Sequence, residues 1–364
     1  MRAKLVELWS RVVKLSDRGE DKNVYHNGDN NLYPNEIDRV INNSPIAVRA
    51  ASIFAKYIAG DALREDRLVN ITHGYSLWDI INSAGRSISR QGGAFIWVGY
   101  GLDSVTGSIV ANQLEVLDYK KCRIGKEDDA ENRGRVYCRD YEATTKGKEK
   151  GRWYYPFSSD QGVLLAQIRA DYGRFSEEEF NIVEAIKTYR GQVYFLNMQP
   201  ELIYPYSPFD SVYNDCDTDY RISMYNNTQT RNGFLGKVVM ITQGLDGEAE
   251  EEAQRNLSEF IGSEGSGNIF LMNAENAEDV SNMLEIKQLK PQFDDKLFVE
   301  TDKRNRRNIL GCANNIPEGL IYAGEGALFG TNSDTYAKMK EFYWEQTKTE
   351  RETLRRAVFS IISY

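Results

Sequence analysis

The chain has 364 residues, of which 41% are hydrophobic and 27% charged. That balance excludes a disordered polymer and leaves room for two or three modules around a sizeable core. A net charge of −9 and a pI near 5.1 argue against a general duplex-binding surface, though not against transient contact with nucleic acid.

The four cysteines, Cys122, Cys138, Cys216 and Cys312, lack CxxC spacing, so neither a zinc site nor a disulfide framework is expected and a reducing cytosol fits. The charged, amphipathic start Met1–Ser10 does not read as a signal peptide. No run reaches the roughly 18 uninterrupted apolar residues of a membrane span. Two histidines, His26 and His73, leave little material for histidine chemistry or a metal centre.

Residues 18 to 36 are rich in Asp, Asn, Gly and Lys and read as a polar surface loop, with carboxylates too poorly spaced for calcium. Ser44-Pro45 then opens a helix whose apolar stripe (Ile46, Ala50, Ile53, Phe54, Tyr57, Ile58) stops at Gly60. Ser76 with Asp79 forms a capping-box pattern for a second helix bearing Leu77, Ile80, Ile81, Ala84 and Ile88, which ends at Gly92-Gly93. Short β-branched and aromatic runs follow at 94–100, 110–124, 136–138, 153–155 and 193–196, separated by charged or Gly-rich turns. Region 94–200 therefore predicts a mostly antiparallel sheet behind two helices. Its Tyr and Trp residues read as half-buried strand positions rather than base-stacking platforms, and 125–151 as an exposed hairpin or lid.

Phe209 to Asn232 contains no proline or glycine for 24 residues. Asp210, Asp215, Asp217 and Asp219 lead and Arg221 and Arg231 follow, the order a helix dipole favours. The stripe Phe209, Val212, Tyr213, Cys216, Tyr220, Met224, Tyr225 is narrow. Such a helix suits a ring of similar helices better than a globular core, with a simple exposed helix as the alternative.

After Asn232-Gly233 come a strand over 234–241, a Glu-rich helix over 248–261 and a second strand over 268–272. This acidic β-α-β insertion buries too little to stand alone and calls for copies of itself or a partner. Its acids Glu250, Glu251 and Glu252 are candidate partner contacts, or else a solvated helix face. Pro291 to Asn315 predicts another helix, stopped by Ile316-Pro317. It holds the basic cluster Lys303, Arg304, Arg306 and Arg307, suited to ion pairs between helices or to phosphate contact. A glycine-rich apolar loop, Glu318 to Gly330, precedes a helix capped by Asn332 or Ser333 and running to the chain's end.

The chain has no GxxxxGK[ST] loop, strand-borne GxGxxG turn, GxSxG elbow, HExxH helix or EF-hand loop. No enzyme chemistry, cofactor or metal is therefore expected.

Three local motifs occur in a telling order. Tyr225-Asn-Asn-Thr-Gln-Thr-Arg-Asn-Gly233 leads into Phe-Leu-Gly-Lys-Val-Val239; then comes Asn308-Ile-Leu-Gly-Cys-Ala-Asn-Asn-Ile-Pro-Glu-Gly-Leu320; then Gly330-Thr-Asn-Ser-Asp-Thr-Tyr-Ala-Lys-Met-Lys-Glu-Phe342. Their order and separation across 205–364 resemble the portal proteins of tailed bacteriophages, the HK97-type portal family, while residues 1–200 match in general character. The resemblance implies an α+β portal-like fold: an N-terminal wing (1–204), stem helix 1 (205–232), a β-α-β clip (233–290), stem helix 2 (291–316), a tunnel loop (317–331) and a long wing helix (332–364). It implies a homo-oligomeric ring, a dodecamer in that family, at a capsid vertex, through which double-stranded DNA is packaged and ejected.

Partners implied are the terminase large subunit, the head–tail adaptor, the major capsid or scaffold protein and transiently bound DNA, with no membrane. The implied location is the virion's portal vertex, and the host cytoplasm during assembly. Leu320, Ile321, Tyr322, Leu328 and Phe329 would face DNA from the tunnel loop, and Lys303, Arg304, Arg306 and Arg307 would form a basic cluster on the stem. Chains of the family continue past the wing helix into a crown, whereas this sequence stops at Tyr364, which leaves two alternatives: a truncated form or product, or a C-terminal part lost or supplied otherwise. Two alternatives stand beside this reading: a capsid adaptor or scaffold without a channel, and a soluble α+β enzyme acting on a small ligand.

Overall fold

The computed structural model describes residues 23–64, 66–70, 72–103, 105–142, 151–175, 180–231, 238–243, 269–274, 295–321 and 333–362. Helix α1 (Tyr33–Asn43) has a proline in its first turn and buries Tyr33, Ile37, Val40 and Ile41, an i, i+4, i+7, i+8 face. This overlaps the expected polar loop to residue 36, because the apolar spacing outweighs the Asn-rich run before it. In α2 (Pro45–Ala59), Ser44 Oγ accepts the Ala47 N–H at 3.1 Å. In α3 (Leu77–Gln91), Ser76 and Asp79 complete the capping box in both directions. Gly92 ends α3 at φ 76°, where a Cβ would lie 2.6 Å from the Tyr206 carbonyl oxygen, so a larger residue is excluded by both backbone and space.

A two-stranded ribbon of β1 (Leu68–Asn70) and β2 (Tyr75–Ser76) precedes α3. The main sheet comprises β3 (Gly93–Leu102), β4 (Ile109–Leu117), β5 (Cys122–Ile124), β6 (Val136–Cys138), β7 (Arg152–Pro156) and β8 (Gln192–Asn197) in the order β4-β3-β8-β7-β6-β5. Every pairing is antiparallel except β7 with β8. Parallel neighbours need a crossover, and α4 (Gln161–Phe175) with α5 (Ile182–Thr188) supplies it. Neither helix was expected from the sequence. The single run expected over 110–124 is split by a 3-10 turn at Tyr119–Lys121.

Central β3 is buried on both faces. Ala94, Ile96 and Val98 join the main core formed with α1, α2 and α3, while Phe95 packs with Tyr119, Phe195 and Tyr204 in a second cluster. Arg123 is fully buried beside that sheet. Its guanidinium donates to Asn31 Oδ1 and to the carbonyls of Asn31, Lys120 and Cys122. It also lies 4.2 Å over the Tyr141 ring. A desolvated cation is tolerated because its donors are taken up this way.

The rest of the chain forms α6 (Tyr213–Arg231), β9 (Val238–Gln243), β10 (Ile269–Ala274), α7 (Asp295–Cys312), a 3-10 turn at Glu318–Leu320, α8 (Ser333–Gln346) and α9 (Lys348–Ile362). The helix expected to run unbroken from 332 is interrupted at Thr347. That buried hydroxyl donates to the carbonyls of Tyr343 (3.0 Å) and Trp344 (3.3 Å), the back-bonding that bends helices. Beyond the bend, Arg351 donates to the Tyr57 carbonyl and Arg355 to those of Ala59 and Asp61, meeting acceptors at the C-terminal end of α2. The chain divides into two units, one of residues 1–217 with 306–364 and one of 218–305.

Candidate functional site

The two unit boundaries fall inside α6 and α7, so these helices are the only covalent links between the units. Their roots belong to the main core: Cys216 from the first, with Phe209 and Val212 in the turns before it, and Ile309 and Leu310 from the second, with Ala313 and Ile316 just after it. The approach to α6 is fixed before the helix begins. Tyr33 Oη donates to Asp210 Oδ1 at 3.0 Å and accepts the Ser207 N–H at 3.1 Å. Ser207 Oγ in turn accepts the Phe209 N–H and donates to the Arg90 carbonyl. Burial, followed by the neighbouring Asp210 charge, raises the Tyr33 hydroxyl far above its ordinary pKa and keeps it a proton donor. These bonds hold 209–212 as turns, so α6 starts at Tyr213 and not at Phe209.

Across the roots, Asn308 Nδ2 donates to Asp215 Oδ1 at 3.0 Å. The Cys312 thiol is pushed up by burial first and then by Cys216, and it donates to the Ile309 carbonyl at 3.1 Å. Helix α7 ends at Cys312, short of the expected Asn315. Asn314 and Asn315 both take left-handed backbone, φ 56° and 57°, a conformation asparagine tolerates better than other side-chain-bearing residues. The reversal returns the Asn315 N–H to the Gly311 carbonyl and the Ile316 N–H to Leu310.

The basic residues of α7 are not gathered at one point. Lys303, Arg304 and Arg307 are exposed, whereas Arg306 is half-buried and lies 3.5 Å from Glu318. Asn305 and Ile309 mark the buried stripe one turn apart. Leu320 and Ile321 are half-buried and pack against the main core. Tyr322, Leu328, Phe329, Glu250, Glu251 and Glu252 lie outside the described residues, as does the helix expected over 248–261. Strands β9 and β10 pair in parallel, with Val238 opposite Ile269 and Gln243 opposite Ala274, a pairing that requires a crossover between them.

The sheet module has two adjoining hollows that share Tyr154 and Arg190, with volumes of about 170 and 490 Å³. Neither is lined by histidine, serine or cysteine. Asp171 lines the smaller one and accepts a hydrogen bond from Tyr155 Oη at 3.2 Å. Among the described residues, no group of three or more His, Cys, Asp or Glu could hold a metal ion. No helix of the described residues is long and apolar enough to cross a membrane.

No protein-family model matches the chain, and no curated protein matches it. Solved structures do. One is a chain of the neck of a native gene transfer agent (GTA) particle computed with C12 symmetry, 14% identical, with a TM-score of 0.45 over 84% of this chain and 73% of that one. Another is from the neck of an empty GTA particle computed with C6 symmetry, 13% identical, with a TM-score of 0.43 over 82% and 73%. A third, from the virion of a native GTA particle, is 13% identical with a TM-score of 0.39 over 82% and 72%. Likenesses this distant carry no argument about what the chain does.

Proposed function

We propose that the chain is one subunit of a ring-shaped, non-catalytic portal conduit in a phage-like particle, through which double-stranded DNA passes. The observation that carries this reading is the connection of the second unit. In chain order, a helix that starts in the main core is followed by a parallel strand pair and then by a second helix that ends in the same core. Helix α6 leaves Met224 and Tyr225 exposed, 45% and 44% respectively, beyond its root. On this reading the exposed apolar surface of Met224 and Tyr225 meets copies of the same helix arranged in a ring.

On this reading α6 and α7 are the stems and 233–290 is the clip. Glu250, Glu251 and Glu252 on the clip meet the packaging motor and later the head–tail adaptor. Residues 317–331 form the tunnel loop, with Leu320 and Ile321 at its base and Tyr322, Leu328 and Phe329 presented to DNA. The ring sits at a capsid vertex against the capsid or scaffold protein, after assembly in the host cytoplasm.

The test combines sedimentation with particle images of the full chain over a range of protein and salt concentrations. Closed rings are expected, twelve-fold on the family resemblance, and a monomer under every condition would overturn the proposal. The double change Leu328→Asp with Phe329→Asp should leave ring formation intact while lowering DNA packaged per particle at least about tenfold, the effect of roughly 1.4 kcal/mol on a rate-limiting step. Unchanged packaging would remove the loop from the tunnel.

A further inference from the structure

Cys122 and Cys138 are distant in sequence but meet across the β5–β6 pair. The antiparallel register sets Cys122 opposite Cys138, Arg123 opposite Tyr137 and Ile124 opposite Val136. Opposed residues in such a ladder alternate between hydrogen-bonded and non-hydrogen-bonded pairs. The Arg139 N–H donates to the Lys121 carbonyl at 2.9 Å, and the Gly125 N–H donates to the Arg135 carbonyl at 2.8 Å. The first of these pairs is one step from the cysteines and the second three steps, so the cysteines occupy a non-hydrogen-bonded position. There the Cα atoms approach to about 4.5 Å, within the window of about 4.4–6.8 Å that a disulfide spans.

Both side chains leave the strands toward the cluster formed with Phe95, Val136 and Tyr204. Burial pushes the Cys122 thiol up, and the neighbouring Cys122 brings Cys138 down. Cys138 is also the half-exposed member of the pair, so it is the sulfur an external oxidant reaches first.

We propose that Cys122 and Cys138 form a redox-convertible disulfide site that staples the outer strand β5 to β6. With a small-molecule disulfide such as oxidised glutathione, the Cys138 thiolate attacks one sulfur and releases one glutathione thiolate. Cys122 then loses its proton to solvent and attacks Cys138 Sγ, forming the Cys122–Cys138 bond and releasing the second glutathione thiolate. The protein pair gives up two electrons and the oxidant takes them; the two glutathione thiolates recover their protons from solvent. The bond closes the loop that carries Asn132 and Arg135, which restricts the unfolded chain and raises stability. On the conduit reading, which this inference does not need, closure follows transfer of the particle from a reducing cytosol to an oxidising exterior.

The experiment counts thiols. Full-length reduced protein is incubated with oxidised glutathione, quenched in acid, unfolded and alkylated, and its mass and cross-linked peptides are read. Wild type should fall from four alkylated cysteines to two, become lighter by two hydrogens before alkylation, and yield a peptide joining Cys122 to Cys138. A reductant should restore all four. The double variant C122S/C138S should keep both remaining thiols, and C122S should trap glutathione on Cys138. Four free thiols in oxidised wild type, or a cross-link joining Cys216 to Cys312 alone, would overturn the proposal, and neither readout depends on how well a variant folds.

Discussion

Two helix pairs in this molecule are built on opposite terms. In α2 and α3 both N-termini are capped by serine, and the faces Ile46, Ala50, Phe54, Ile58 and Leu77, Ile81, Ala84, Ile88 close on one another and on β3. The pair α6 and α7 joins the main core through Cys216 on one helix and Ile309 and Leu310 on the other, with Asn308 bonded to Asp215 between them. Away from the roots its described residues include exposed Met224, Tyr225, Val299, Lys303 and Arg304. The first pair completes a core within one chain. The second shares that core at Cys216, Ile309 and Leu310 and also carries exposed apolar and basic side chains, which fits its narrow sequence stripe.

The contrast is broken or sharpened first by truncation. Ile81→Ala removes a fully buried side chain and should cost about 2–5 kcal/mol in urea unfolding of the chain. Met224→Ala should change the same quantity by less than about 0.5 kcal/mol while weakening ring formation. Equal costs at the two positions would mean that α6 is packed as an ordinary core helix, and the distinction between the pairs would disappear. Ile309→Ala comes next, at about 2–4 kcal/mol, because Ile309 lies at the root of α7 and is as buried as the residues of α3. A denaturation midpoint unchanged by Ile309→Ala would show that the root does not share the main core.

What the sequence disclosed follows the range of the interactions involved. Ser44-Pro45 and the Ser76/Asp79 box are local signals, and both helices start where those residues say. Helix α4 escaped notice because glycines at 162 and 173 interrupt a pattern whose buried members, Leu164, Ile168 and Tyr172, make sense only against the sheet. Arg123, inside the run expected over 110–124, is fully buried, and the groups that satisfy it include Asn31, far away in sequence. The pairing of Cys122 with Cys138 depends on strand register, which residue spacing cannot reveal. At the candidate site, the two helices and two strands that fall among the described residues were legible because they rest on composition and punctuation, while the helix expected between the strands lies outside those residues. The bending hydroxyl of Thr347 and the paired left-handed asparagines that end α7 were not, because each is decided by local hydrogen bonding between otherwise ordinary helix residues.

The smallest expected effect is also the most discriminating for the basic cluster. Arg306 Nη1 and Glu318 stand 3.5 Å apart with side chains 31% and 63% exposed, so solvent screens their attraction. Arg306→Ala should therefore lower stability by no more than about 1 kcal/mol, and the pair's share of that loss should fade at high salt. Lys303, Arg304 and Arg307, which the structure leaves on the exposed side of α7, should be nearly silent in unfolding when changed together to alanine. Their effect belongs to the assembled state. If they tie stems together, the triple variant should lower the yield of rings; if they meet phosphate, rings should form normally and the salt dependence of DNA passage should flatten. Because unfolding of the single chain reports on neither role, a large stability loss from the triple variant would instead place these side chains in the chain's own packing and return α7 to the same class as α3.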